Sequence, residues 1–80
     1  MNFYTGLKKM NVWILKTNIS SQSEFEKVKN TFDRNLDIYE CTIDLDDIDK
    51  VVRIISNDLT MDEAESKIQN LGFFCKELDD

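Results

Sequence analysis

Lys16-Thr17-Asn18-Ile19-Ser20-Ser21-Gln22-Ser23-Glu24-Phe25 joins an apolar run to a helix start, and the reading of the whole chain turns on this junction. Before it, Val12-Trp13-Ile14-Leu15 packs β-branched and aromatic residues into a short length, which favours a buried strand over Asn11–Ile19. After it, Ser21 precedes Glu24 by three residues and Ser23 precedes Glu26 by three, giving two overlapping capping boxes. Phe25, Val28 and Phe32 then recur at helical spacing, so a helix is expected from about Ser23 to Arg34.

Working outward, Asn35 is a natural stop. Beyond it, Cys41, Ile43 and Leu45 alternate with Glu40, Thr42 and Asp44, the period of a half-exposed strand over Ile38–Leu45. Asp46-Asp47-Ile48-Asp49 is a polar interruption, and Val51 to Ile55 is a second strong strand, so the two form a hairpin. Asn57-Asp58 ends it. Thr60 with Glu63 is a further capping box, and Met61, Ala64, Ile68 and Leu71 fall on one helical face before Gly72, which suits the left-handed position past a helix end. Phe73 to Leu78 closes the chain as a short strand. The order strand, helix, strand, strand, helix, strand is a split βαβ unit: an α+β, ferredoxin-like sandwich with two helices on one face of a four-stranded antiparallel sheet in the order 4-1-3-2. Residues 1–10 form an N-terminal arm, disordered or part of the first strand, and 11–80 form a single domain.

Composition sets the limits on function. Eighty residues suffice for one small core. Ten Lys and Arg against sixteen Asp and Glu give a net charge of -6, which repels nucleic acid and anionic membrane surfaces. No apolar run approaches the ~20 residues of a membrane span, and Met1 to Met10 lack the apolar core of a secretory signal. The chain reads as cytoplasmic. It has no histidine, the usual general base and commonest metal ligand, which argues against an enzyme. The expected topology sets its two cysteines, Cys41 and Cys75, on opposite sheet edges about three strand spacings of ~4.8 Å apart, too far to bridge.

Three stretches resemble the heavy-metal-associated domains of copper chaperones and metal-transporting ATPases. Leu15-Lys16-Thr17-Asn18-Ile19 is similar to the strand ending that in this family runs into a Cys-x-x-Cys loop. Ile43-Asp44-Leu45-Asp46-Asp47-Ile48-Asp49-Lys50-Val51-Val52 resembles the family's hairpin, and Leu59-Thr60 through Leu71-Gly72-Phe73 its second helix and exit. The resemblance implies the same fold and a metal loop at the junction. Aligned on Ile19, however, the two metal-binding cysteines fall at Ser21 and Glu24. Those positions are vestigial, because a neutral hydroxyl and one carboxylate are poor ligands for the soft ions that thiolates select. No metal or other cofactor is expected, transition metals included.

Competing readings fail on spacing. A calcium loop opening at Asp44 would need glycine sixth and glutamate twelfth, where Asp49 and Ile55 stand, so the acidic turn is a solvated hairpin. Small phosphatases of this architecture need an arginine in a phosphate-cradling loop, whereas Arg34 and Arg53 sit at a helix end and in a strand. Phe25, Phe32, Phe73 and Phe74 read as core. The strands around Trp13, Ile14, Val51 and Ile55 are apolar on both faces, and a single-layered sheet must leave one face uncovered, a candidate surface for another protein or a second copy. The expected function is a non-enzymatic module that has lost thiolate metal binding and docks a protein or itself. The alternative is a residual ion or small-ligand carrier using Glu24 and neighbouring oxygens.

Overall fold

The computed structural model describes residues 10–34 and 38–78. The expectations about the N-terminal arm before Met10 and about a stop at Asn35 lie outside them. The elements are β1 (Asn11–Thr17), α1 (Gln22–Asp33), β2 (Ile38–Asp44), β3 (Val51–Ser56), α2 (Met61–Gln69) and β4 (Cys75–Glu77). The sheet runs β2-β3-β1-β4 with every neighbouring pair antiparallel, which read from the β4 edge is 4-1-3-2.

The core lies between one sheet face and the helices. Leu15, Val52 and Ile54 are fully buried on the sheet side, against Val28, Phe32, Ala64 and Ile68 from the helices. Register explains the choice of face. Trp13 pairs with Ile54 and Leu15 with Val52, so all four point to the helices, while Val12, Ile14, Val51 and Ile55 point away. A bulge between Ile38 and Glu40 lets both Ile38 and Cys41 turn inward although two residues, an even number, lie between them, leaving Tyr39 exposed.

Several boundaries differ from expectation for local reasons. β1 stops at Thr17 because the Thr17 hydroxyl donates to the Lys50 carbonyl at 2.7 Å and accepts from the Ile19 amide at 3.2 Å, turning the chain out of the ladder. The helix α1 starts earlier than Ser23, with Ser21 as N-cap. The other helix, α2, ends at Gln69, so Leu71 lies past the helix and is 38% exposed rather than on its buried face. Gly72 follows at φ +97°, the left-handed conformation expected there. Phe73 packs against the core, but Phe74 is 51% exposed: it precedes β4, where the strand alternation has not yet begun.

Candidate functional site

The β1–α1 junction is held together by a set of hydrogen bonds from its own side chains. Thr17 holds its base to the hairpin through the hydroxyl bond to Lys50 and through its amide, which donates to the Asp49 carbonyl at 2.9 Å. The Asn18 side-chain carbonyl accepts from the Phe74 amide at 2.9 Å, tying the loop to the approach to β4. Ile19 is fully buried and anchors the loop in the core. The Ser21 hydroxyl then accepts from the Glu24 amide at 3.1 Å, closing the helix N-terminus.

Glu24 completes a cap that is displaced by one residue from the expected box. Its Oε1 accepts from the Ser20 amide at 2.8 Å and the Ser20 hydroxyl at 3.0 Å, not from Ser21. These bonds favour the ionised form, so the Glu24 carboxyl is held below its ordinary value, first by the Ser20 amide and then by the Ser20 hydroxyl. Spacing pairs Glu24 with Ser21, whereas the structure pairs it with Ser20, because a capping pattern counts from the N-cap and does not register a reach-back one residue earlier. The second expected box, Ser23 with Glu26, does not form. Ser23 is inside the helix, and Glu26 Oε2 accepts instead from the Gln22 side-chain Nε2 at 2.9 Å.

The donor set at this loop is two hydroxyls and one carboxylate engaged in caps, which does not match a soft cation. The thiols lie elsewhere. Cys41 and Cys75 are both free and buried, on β2 and β4 at opposite edges of the sheet. Burial pushes each thiol up to about 12, with Asp33 adding to the effect at Cys41 and Glu65 at Cys75. Among the described residues no cluster of three or more histidine, cysteine, aspartate or glutamate side chains is arranged to hold a metal. In the acidic hairpin, Asp44 accepts from the Asp46 amide at 3.1 Å and Asp47 from the Asp49 amide at 2.7 Å, so both carboxylates serve the turn. Lys50, at φ 45°, closes it by donating from Nζ to the Leu45 carbonyl at 2.7 Å, while Ile48 stands 93% exposed at the tip.

Of the four residues expected to form a docking surface, the structure brings three together. Ile14, Val51 and Ile55 share the sheet face turned away from the helices, with Val12 beside them, 45% exposed. Trp13 is not part of that surface. Its parity sends it inward, where it packs on the core and its indole N–H donates to the Leu59 carbonyl at 2.7 Å. The outer face holds an open groove of about 400 Å³ floored by Ile14, Val51 and Leu78 and walled by Arg53, Asp44 and Asp47. Among the described residues no helix is long and apolar enough to cross a membrane.

The fold is shared with solved structures of copper-handling proteins. The yeast copper transporter domain Ccc2a, studied in apo and Cu(I)-loaded states, superposes with a TM-score of 0.73 at 18% identity, over 86% of this chain and 96% of that one. The structure of the Atx1–Cu(I)–Ccc2a complex gives 0.75 at 20% identity over the same shares. The apo heavy-metal-associated domain of a copper chaperone for superoxide dismutase gives 0.74 at 14% identity, over 99% of this chain and 79% of that one. No family model and no curated protein matches the sequence. Such low identities establish a common fold and nothing finer.

Proposed function

We propose that this chain, which has the fold of the heavy-metal-associated domains, is a single domain over residues 11–80 that has lost thiolate metal binding and acts, without catalysis, as a cytoplasmic protein-binding or self-association module. The observation that carries the reading is the state of Ser21 and Glu24. They stand at the positions that the resemblance assigns to the metal-binding cysteines, and Ser21 Oγ and Glu24 Oε1 are engaged in capping α1. A hydroxyl and a capped carboxylate offer a soft ion little, and displacing them would free the amides of Ser20 and Glu24.

With the loop committed to structure, the outward-facing apolar stripe of exposed Val12 and half-buried Ile14, Val51 and Ile55 is the part of the molecule suited to recognition. The outer sheet face is the binding surface, and Ile14 is its centre. One of the structural neighbours is itself a complex of two proteins, Atx1 and Ccc2a, which supports association as a use of this fold.

The test is affinity capture with three folded forms: wild type, Ile14→Asp, and Glu24→Gln. The reading expects proteins retained by wild type and by Glu24→Gln to be lost with Ile14→Asp. Equal retention by all three forms contradicts it. Titration calorimetry with Cu(I), Zn(II) and Ca(II) separates the carrier alternative, which requires stoichiometric binding to the monomer at micromolar or tighter affinity.

A further inference from the structure

We propose that the outer sheet face closes on the same face of a second copy of this chain, about a two-fold axis parallel to the strands; this rests on the reading of that face as the docking surface. Charge placement on this face favours that pairing. Across the face, Asp44 pairs with Val51, Thr42 with Arg53 and Glu40 with Ile55; Ile14 pairs with Arg53, Val12 with Ile55, and Lys16 with Lys76. The outer face therefore has carboxylates along its β2 edge, an apolar middle crossed by Arg53, and two lysines on β1 and β4. Lys16 lies one step past the Leu15–Val52 pair, level with Val51, so Asp44 and the two lysines stand at the same end of the sheet.

A face-to-face pair of identical surfaces has two simple choices of axis. An axis across the strands sets Asp44 over Glu40 of the second copy, like charge on like. An axis parallel to the strands exchanges the edges and keeps the ends, so Asp44 lies over Lys76 of the second copy, twice by symmetry, and Ile55 lies over Val12. Only the second arrangement is complementary. Lys76 is exposed and Lys16 half-buried, so both ammonium groups can reach a facing copy. The two Arg53 flank the axis, each over Ile14 of the other copy, with their own Asp44 and Asp47 lining the same groove to offset them.

Size sets the strength. Four strands at ~4.8 Å and about six residues at ~3.3 Å make a face roughly 20 Å on a side. Closing it buries roughly 800 Å² in total, below the standard range, so the dimer is transient, with a dissociation constant on the order of 0.1 mM.

The experiment is sedimentation velocity on the full chain from about 10 μM to about 1 mM, a range set around that constant, for wild type, Asp44→Lys, Lys76→Asp and an equimolar mixture of the two variants. Wild type is expected to gain mass with concentration. Each variant alone is expected to associate at least about tenfold more weakly, because both symmetric contacts become like-charged. The mixture regains wild-type association: the lysine introduced in one variant meets the aspartate introduced in the other at one contact, and the native Asp44 and Lys76 meet at the second. Arg53→Leu removes the like-charge approach at the axis and tightens the dimer. A mixture no better than its components overturns the proposal, as does a dimer that survives Ile14→Asp, or a wild type that stays monomeric through millimolar concentration. If the wild type stays monomeric while Ile14→Asp still abolishes capture of a different protein, self-docking falls and the docking-surface reading stands. If Ile14→Asp changes neither, both fall.

Discussion

The Glu24 carboxylate holds both the amide and the hydroxyl of Ser20, at 2.8 and 3.0 Å, and so ties the end of the β1–α1 loop to the first turn of the helix. A second carboxylate does the same at the other helix. Glu63 accepts from the Thr60 amide at 3.0 Å and from its hydroxyl at 3.1 Å. Both carboxyls are held below their ordinary value of 4.5, each chiefly by the backbone amide it accepts from. A carboxyl whose folded value is depressed contributes stability that is complete above the unfolded value and lost as pH falls through the folded one. Chemical denaturation across pH is therefore expected to give a plateau near neutrality and a decline beginning below about pH 4.5. In Glu24→Gln with Glu63→Gln, that part of the acid decline is reduced.

Removing the cap hydroxyls tests the same bonds at neutral pH. Ser21→Ala and Thr60→Ala are each expected to cost about 1 kcal/mol in denaturant unfolding, because each leaves one helix amide without its acceptor. Ser23→Ala, at a position that sequence pattern had made equally attractive, is expected to leave stability within about 0.5 kcal/mol.

Ser56 is fully buried at the end of β3, and among the described residues its hydroxyl has no hydrogen-bond partner. Ser56→Ala removes a desolvated, unsatisfied group at little change in volume and is expected to be neutral or to stabilise by about 1 kcal/mol. Phe32→Ala, at an equally buried site, empties the middle of the core and is expected to cost about 3–5 kcal/mol, a large share of a small domain's total. Thermal unfolding that moved both variants in the same direction would contradict this assignment.

The thiols make a kinetic prediction. Buried, with values near 12, Cys41 and Cys75 are expected to react slowly with a thiol reagent at pH 8 in the native state, and both to react once the chain is unfolded. The raised values also imply that stability falls as pH rises above about 9, where the unfolded thiols ionise and the folded ones do not. A disulfide between them is not expected, since β3 and β1 separate their strands.

Gly72 isolates backbone conformation from packing. A Cβ placed there meets nothing within 4 Å, yet φ is +97°. Gly72→Ala is expected to lose about 1 kcal/mol through strain alone, and a loss much above that would point to a contact not evident in the fold.

The fold was legible because its signals are local and agree with one another. Phe25, Val28 and Phe32 mark one helix, Thr60, Glu63 and Gly72 bracket the other, and the alternation around Cys41 gives a strand with a defined buried face. What failed was parity where both faces are apolar. Val12-Trp13-Ile14-Leu15 has no polar residue to say which side is outward, and only pairing with β3 decides that Trp13 goes in and Ile14 out. The loop's ties through Asn18 to Phe74 and through Thr17 to Lys50 span 56 and 33 residues of sequence, a separation at which composition and spacing carry no signal. The capping bond from the Glu24 amide to Ser21 follows from spacing, while the reach of the Glu24 carboxylate back to Ser20 does not.

The most direct test of the account is Cu(I) transfer from a colorimetric chelator, compared between wild type and the double variant Ser21→Cys with Glu24→Cys. If this loop is a metal loop emptied of its ligands, wild type is expected to leave the chelator loaded, while the double variant, with a Cys-x-x-Cys pair on the same frame, removes one Cu(I) per domain. Wild type removing one Cu(I) per domain would contradict the loss of metal binding at Ser21 and Glu24 and return the chain to the carriers.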